Sequence, residues 1–153
     1  MKLETFSLDI DADGIAVATF DVPGRSMNTL TARAIQDLSA IADEVGSNAM
    51  IKGLVITSGK TSGFCAGADL GELGGGSGSG GDKGDPEAQL KAAFDRSFQM
   101  NKILRNLETC KKPVAAAING LALGGGLEVT LACHYRIASN DNPKLQLGLP
   151  EAK

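Results

Sequence analysis

The chain has 153 residues, a formal net charge of −3 and 42% hydrophobic residues, which is typical of one globular domain with its own core. Lysine and arginine are scattered rather than clustered, which argues against a nucleic-acid partner, because phosphate contacts leave a basic footprint. No apolar run approaches the roughly 20 residues that span a bilayer, and the N-terminal stretch MKLETFSLDI lacks the apolar centre of a secretory signal.

The first part of the chain predicts two strands, a helix and a third strand. Residues 5–21 contain the turn sequence DADG at 11–14, which indicates a hairpin. Residues 30–45 carry apolar side chains at helical spacing, with Thr31 as a candidate N-cap. Ile51–Ser58 is apolar on both faces, as is typical of a strand buried in a parallel sheet.

The second part repeats this alternation. An apolar stripe over 90–107 predicts a long helix, and 113–120 predicts a second buried strand. A third helix is expected at the glycines of 124–126, and a strand is expected at 135–139. The alternation of strands and helices predicts an α/β architecture.

One segment, 73–87, fits none of these elements. It is rich in glycine and serine and cannot bury enough apolar area to offset the entropy of ordering it. We therefore expect a flexible loop inside the domain rather than a domain boundary. Two interpretations remain open for this loop: a linker without a function, and a loop that covers a ligand site.

Three cysteines, Cys65, Cys110 and Cys133, are scattered and form no CxxC pair. An odd count without close pairs indicates reduced thiols and predicts a cytoplasmic location. These cysteines and a single histidine do not form a recognisable ligand set, so no metal is expected.

Three consecutive glycines, Gly124–Gly126, precede the predicted third helix. A glycine-rich turn before a helix exposes unpaired backbone N–H groups, which can hold an anion or an oxyanion that develops during a reaction. The spacing matches neither the dinucleotide fingerprint nor the P-loop. Close packing of the helix on a strand is the structural alternative.

A second segment, 62–70, has the same character. It follows a buried strand, and the small residues Ala66, Gly67 and Ala68 allow close approach of the backbone to a ligand. Asp69 is expected in the first turn of a short helix, where its charge is favourable. Ligands of open α/β sheets bind at the carboxyl ends of strands, so one N–H group from each segment would form an oxyanion hole.

Two carboxylates follow predicted strand ends or turns. Glu128 comes just after the glycines, and Glu151 follows an apolar strand near residue 148. Two carboxylates that face one small volume can perform general acid–base chemistry. Whether these two converge, or are ordinary surface glutamates, is open at the level of sequence.

Together these residues resemble the crotonase, or enoyl-CoA hydratase/isomerase, superfamily. The resemblance rests on SGFCAGADL at 62–70, AAINGLALGGGLEVTLACHYRIA at 116–138 and LGLPEAK at 147–153. The stretch DVPGRSMNTL at 21–30 is closest to the hydratase region of multifunctional fatty-acid oxidation enzymes, in which a 3-hydroxyacyl-CoA dehydrogenase portion follows.

The resemblance implies a ββα spiral and an enzyme that adds water in syn fashion to trans-2-enoyl-CoA in fatty-acid β-oxidation. The thioester oxygen would lie between the N–H groups of Ala68 and Gly125. Glu128 would activate the water, and Glu151 would supply the proton. The other residues expected to bind substrate are Ala66, Gly67, Asp69 and Gly124.

The resemblance also implies that residues 1–153 are the N-terminal part of one crotonase-like domain, truncated after Glu151. Two alternatives stay open: an isomerase or another acyl-CoA conversion, and a non-catalytic fragment that self-associates. No cofactor is expected, since acyl-CoA is the substrate, and NAD would be needed only by a downstream dehydrogenase portion. The expected partners are an acyl-CoA thioester and further copies of the chain.

Three departures from the family pattern bear on these expectations. His134 stands where the family usually has an acidic residue, and a structural substitution at a helix end is favoured over a catalytic role. Leu127 stands where a small residue is common. The segment 139–146 is slightly longer than usual, which affects the placing of Glu151.

Overall fold

A computed structural model of the chain describes residues 2–69, 71 and 86–152. The described elements alternate between strands and helices, which confirms the predicted α/β architecture, although several bounds differ from prediction by a few residues. In chain order they are β1 (Phe6–Ile10), β2 (Ile15–Phe20), α1 (Ala32–Ser47), β3 (Gly53–Ser58), β4 (Gly63–Cys65), α2 (Pro86–Thr109), β5 (Val114–Ile118), β6 (Leu121–Leu123), α3 (Gly125–Leu131), β7 (Tyr135–Ala138) and β8 (Leu147–Gly148).

The strands form two sheets. The larger has the order β1-β2-β3-β5-β7, and the smaller has the order β4-β6-β8. β1 and β2 are antiparallel, whereas the other described pairs are parallel. From β3 onward, the first strand of each ββα unit joins the larger sheet and the second joins the smaller. The carboxyl ends of β4 and β6 therefore lie side by side.

The hairpin of β1 and β2 forms where the turn sequence predicts it. Gly14 has φ of 86°, which a residue with a side chain rarely adopts. The Asp11 carboxylate accepts hydrogen bonds from the N–H groups of Asp13 and Ile15 at 2.9 and 2.8 Å. The resulting register pairs Phe6 with Phe20, whose rings stack with centroids 4.4 Å apart.

Helix α1 begins at the predicted cap. The Thr31 hydroxyl accepts a hydrogen bond from the Ala34 N–H at 3.1 Å, which satisfies one of the free donors of the first turn. The apolar stripe of α1 then packs into the core beneath the larger sheet. Its buried members include Ala34, Leu38, Ile41 and Val45.

One charged residue, Asp37, lies on the buried face of α1. Its Oδ2 accepts hydrogen bonds from the N–H groups of Glu4 and Thr5 and from the Thr5 hydroxyl, and its Oδ1 lies 2.9 Å from Arg33 Nε. Burial by itself raises the pKa of Asp37, but these hydrogen bonds and the arginine outweigh it and lower the pKa. The ionised carboxylate therefore fixes the N-terminal segment to α1.

Helix α2 departs from the sequence interpretation. The predicted apolar stripe is buried only near the C-terminal end, at Ile103 and Leu107. Leu90 and Phe94 are 72% and 65% exposed. The stripe is therefore a core element over its last turns alone.

The predicted flexible loop over 73–87 lies outside the described residues, except for its last two positions. Pro86 and Glu87 form the first turn of α2, so the predicted C-terminal edge of the loop was wrong. Proline suits the first helical position because its φ is already helical, and an acidic residue is favourable in the first turn.

Both central strands, β3 and β5, lie between parallel neighbours as predicted. The three cysteines are free thiols, and Cys65 and Cys133 are buried. Burial raises the pKa of Cys65 to about 11 and that of Cys133 to about 12, so both stay protonated at neutral pH. Within the described residues, no helix combines the length and apolarity needed to cross a bilayer.

Candidate active site

The segment after β4 lies against β6 through backbone contacts. Gly67 has φ of 101°, and a Cβ built on it would lie 3.1 Å from the carbonyl oxygen of Leu123. Both the dihedral angle and the close approach favour glycine here. The segment 66–69 is thereby held at the carboxyl end of the smaller sheet, next to the glycines that follow β6.

The loop between β2 and α1, residues 21–31, supports this segment from the other side. Asn28 is fully buried, and its side chain accepts a hydrogen bond from the Val22 N–H at 2.9 Å and donates to the carbonyl oxygens of Phe20 and Phe64 at 2.8 and 3.2 Å. Its own carbonyl accepts from the Ala66 N–H at 2.9 Å. Asn28 thus joins the ends of β2 and β4.

Leu30 determines which way the Ala68 N–H points. The Leu30 N–H donates to Gly67 O at 2.8 Å, and the Asp69 N–H donates to Leu30 O at 3.2 Å, which makes a parallel bridge centred on Ala68. In such a bridge the N–H of the central residue points away from the partner strand. The Ala68 nitrogen lies 4.0 Å from a Cβ built on Gly125.

The structure requires glycine at the three adjacent positions for different reasons. Gly124 has φ of 50° and ψ of −128°, and a Cβ built on it would lie 2.6 Å from Glu151 Oε1. A Cβ on Gly126 would lie 2.6 Å from the backbone oxygen of Cys65, so this glycine allows α3 to pack on β4. Helix packing, the structural alternative, therefore explains Gly126 but not its neighbours.

Gly125 is the first residue of α3 and presents a backbone donor. The first helical hydrogen bond runs from the Glu128 N–H to Gly124 O at 3.0 Å, so the Gly125 N–H precedes it and has no acceptor within the helix. The N–H of Gly124 donates to Gly148 O at 2.9 Å, which ties the turn to β8. The turn is thus fixed while the Gly125 N–H stays available.

The two predicted carboxylates converge on this turn. Glu128 Oε2 lies 3.7 Å from a Cβ built on Gly125, and Glu151 Oε1 lies 2.6 Å from a Cβ built on the adjacent Gly124. Both glutamates are exposed. The structure therefore brings together Ala68, Gly125 and the two carboxylates, which the sequence could only suggest.

Comparison with known proteins identifies the family of the chain. Residues 11–153 match the enoyl-CoA hydratase/isomerase family. The chain belongs to that family. It is 43% identical over 150 residues to the fatty acid oxidation complex subunit alpha of Shewanella amazonensis, covering 98% of this chain and 20% of that protein. It is 44% identical over 150 residues to the same subunit of Shewanella sp. strain W3-18-1, again covering 20% of the relative. The chain thus spans about a fifth of the length of these relatives.

Solved structures confirm the expected crotonase-type fold. The enoyl-CoA hydratase from Bacillus anthracis superposes with a TM-score of 0.77 at 31% identity, over 96% of this chain and 51% of that one. Pseudomonas aeruginosa DspI superposes with a TM-score of 0.78 at 29% identity, over 99% of this chain and 51% of that one. The chain thus spans about half the length of these two neighbours.

Two of the other predicted substrate residues, Asp69 and Ala66, have partners within the protein. Asp69 is buried, its Oδ2 lies 2.5 Å from Arg25 Nη1 and accepts from the Thr29 hydroxyl at 3.2 Å, and its Oδ1 accepts from the Gly71 N–H at 2.9 Å. The Ala66 N–H is taken up by Asn28. Their contacts with a ligand stay predictions.

His134 has the structural role that was favoured for it. Its Nδ1 accepts a hydrogen bond from the Val114 N–H at 3.0 Å, so Nε2 carries the proton and donates to Glu108 O at 3.0 Å. The histidine thereby joins the end of α2 to the start of β5. Among the described residues, no cluster of three or more histidine, cysteine or acidic side chains is placed to hold a metal ion.

Sequence reasoning missed the supporting residues of the loop between β2 and α1. Arg25, Asn28 and Leu30 belong to the stretch DVPGRSMNTL, which contributed only to the family resemblance. The asparagine at position 28, shortly before the predicted helix, was the one available signal, because buried amides occur where several backbone groups need partners.

Proposed function

We propose that this chain forms part of an enoyl-CoA hydratase that adds water to trans-2-enoyl-CoA in fatty-acid β-oxidation. The observation that carries the proposal is the convergence of Glu128 and Glu151 on adjacent glycines, next to the Ala68 nitrogen. The relatives named as fatty acid oxidation complex subunit alpha support the metabolic setting.

The backbone donors would stabilise the charge that develops during hydration. Addition of water to a conjugated thioester moves negative charge onto the thioester oxygen. The N–H groups of Ala68 and Gly125 would donate to that oxygen, and one such preorganised donor is worth roughly 3–4 kcal/mol of barrier. The absence of a Cβ at Gly125 lets the substrate oxygen approach the main chain.

The two carboxylates would divide the proton transfers. Glu128 would accept a proton from a water molecule as the water oxygen bonds to the β-carbon. Glu151 would supply a proton to the α-carbon as the carbon–carbon double bond is lost. The water would supply the hydroxyl at the β-carbon, and the proton that Glu128 accepted would pass back to Glu151 before the next turnover. The net step consumes one water and needs no oxidant, reductant or cofactor.

The remaining predicted contacts concern binding. The backbone at Ala66 and Gly67 would meet the CoA part of the substrate, and Gly124 would border the thioester. We also expect self-association of the chain. Support comes from large apolar side chains that the described residues leave exposed, among them Phe94 on α2 and Tyr135 and Ile137 on β7.

A hydration assay tests the proposed function. The chain is mixed with a short trans-2-enoyl-CoA, and loss of the absorbance of the conjugated thioester is followed. Glu128→Gln keeps the shape of the side chain but removes the base, so we expect turnover to fall by at least about 10²-fold. Glu108→Gln is the matched control, because this exposed glutamate on α2 pairs with Arg105 outside the site.

The same assay separates hydration from isomerisation. Glu151→Gln should abolish hydration, whereas a double-bond shift that needs one carboxylate would survive on Glu128. Hydration that persists in Glu128→Gln, or that falls equally in the Glu108 control, would refute the assignment. Product analysis by chromatography distinguishes the hydroxyacyl-CoA from a shifted enoyl-CoA.

A further inference from the structure

A buried ion pair lies directly beside one of the proposed oxyanion donors. Asp69 follows Ala68 in the chain, and its side chain is only 8% exposed. Its carboxylate lies 2.5 Å from the guanidinium of Arg25, whose side chain is 48% exposed. Burial of a carboxylate is unfavourable unless its charge has a partner. The ion pair with Arg25 therefore holds Asp69, and the segment that contains it, close to the loop that carries Arg25.

The loop between β2 and α1 makes several tertiary contacts with residues 66–69. Backbone hydrogen bonds connect Asn28 to Ala66 and connect Leu30 to both neighbours of Ala68. The side chains of Arg25 and Thr29 add contacts with Asp69. The loop between β2 and α1 therefore holds the segment through main-chain and side-chain contacts at once.

The Ala68 N–H is placed by what surrounds it. The bridge to Leu30 uses Gly67 O on one side of Ala68 and the Asp69 N–H on the other, at 2.8 and 3.2 Å. The bond from Asp69 is the longer of the two, and it involves the residue whose side chain Arg25 holds. The Ala68 N–H belongs to the peptide that also contains Gly67 O, and the next peptide carries the Asp69 N–H. A shift of Asp69 would therefore change the direction of the Ala68 N–H through rotation about the bonds at the Ala68 Cα.

We propose that Arg25 and Asp69 are positioning residues that fix the direction of the Ala68 N–H, rather than residues that contact the substrate. This inference rests on the proposed hydratase function for its catalytic meaning. It assigns Asp69 a role different from the substrate contact that the sequence suggested. It also gives Arg25, which no sequence signal singled out, a part in the reaction.

The chain contains a matched control for this pair. Arg33 and Asp37 form a second pair of a partly exposed arginine with a buried aspartate, with side chains 38% and 2% exposed. That pair joins α1 to the N-terminal segment and does not contact residues 66–69. Arg25→Ala and Arg33→Ala therefore each remove an arginine from a buried aspartate, but only the first affects the proposed donor.

The experiment compares kcat and KM for a short trans-2-enoyl-CoA in the two variants, well below the Tm of each. We expect Arg25→Ala to lower kcat by about tenfold to a hundredfold, because small misplacement of a catalytic group has effects of that size. KM should change by less than roughly threefold, since the donor acts mainly in the transition state. Arg33→Ala should leave kcat within about twofold of the original chain.

A second substitution adds a sharper test. Arg25→Ala leaves the buried Asp69 carboxylate without its arginine, and adding Asp69→Asn removes the negative charge while keeping an acceptor for the Gly71 N–H. The double variant should therefore recover part of the kcat lost in Arg25→Ala. A KM increase with unchanged kcat, an equal kcat loss in Arg33→Ala, or no recovery in the double variant would each overturn the proposal.

Amide hydrogen exchange tests the positioning role of Arg25 and Asp69 even if the chain shows no turnover. Absence of hydration would defeat the proposed function, whereas the amides of Leu30 and Asp69 still report on the bridge around Ala68. We expect their exchange to rise by at least about tenfold in Arg25→Ala and to stay unchanged in Arg33→Ala. Equal exchange rates in both variants would overturn the positioning role.

Discussion

The two glycine-rich segments of the site lie next to each other but are held in position by different kinds of contact. Residues 66–69 are held by a loop about 40 positions earlier in the chain, through contacts such as Asn28 to Ala66. Residues 124–126 are placed mainly by their own backbone dihedral angles, by the start of α3 and by the close approach of Gly126 to Cys65. One donor therefore depends on tertiary contacts, and the other depends mainly on local backbone geometry.

The largest effect on kcat is expected from a substitution at Gly125, whose N–H is the proposed donor in the second segment. Gly125→Val places a branched side chain 2.8 Å from Leu30 Cδ1 and over the proposed thioester position. We expect kcat to fall by about 10²–10³-fold, the effect of losing one oxyanion donor. The chain should still fold, which circular dichroism would verify.

Gly46→Val is the control for this substitution. Gly46 lies on the exposed side of α1, and a Cβ built there has no neighbour within 4 Å. The control should keep full turnover. Normal turnover in Gly125→Val itself would remove the oxyanion role from this residue.

Gly126→Ala is expected to affect stability. The added methyl would meet backbone and Cβ atoms of Cys65 at 2.6 and 2.7 Å, and these atoms cannot move aside without shifting β4. Overpacking of this kind costs about 1–3 kcal/mol in the free energy of unfolding. Urea denaturation followed by circular dichroism measures it, with Gly46→Ala as the control that should gain stability. An unchanged urea midpoint would contradict the packing reason for Gly126.

The smallest effect concerns pH and the attachment of the N-terminal segment to α1 by Asp37. Because the pKa of Asp37 is lowered below its ordinary 3.8, the folded state binds the proton less tightly than the unfolded state. The stabilisation by Asp37 is therefore complete at pH values above the ordinary pKa of an aspartate, and it is lost as the pH falls below about 4. Urea midpoints measured from pH 6 to pH 2 should fall less steeply in Asp37→Asn, and equal slopes would contradict the assignment.

The sequence predicts the local features of this molecule better than its tertiary features. The turn at 11–14 and the Thr31 cap were predicted correctly, because each is decided by residues within four positions of one another. The exposure of Leu90 and Phe94 was not predictable from periodicity, because a helical pattern shows which residues share a face but not what covers that face.

The candidate site shows the same division. The glycines and both glutamates were identified from their residue types and the family resemblance. The convergence of Glu128 and Glu151 depends on how β8 pairs with β6. β8 is only two residues long, and no sequence pattern indicates its pairing. The contacts of Arg25 and Leu30 with residues 67–69 run across the fold and were visible only in the structure.

The contacts of Gly67 with Leu123 O and of Gly126 with Cys65 O have a consequence for variation in this site. Main-chain atoms of the two segments meet at both points, with no side chain between them. The spacing of the backbones is therefore set at both points by van der Waals contact between main-chain atoms rather than by side chains. Substitutions of the surrounding side chains would therefore leave this spacing unchanged.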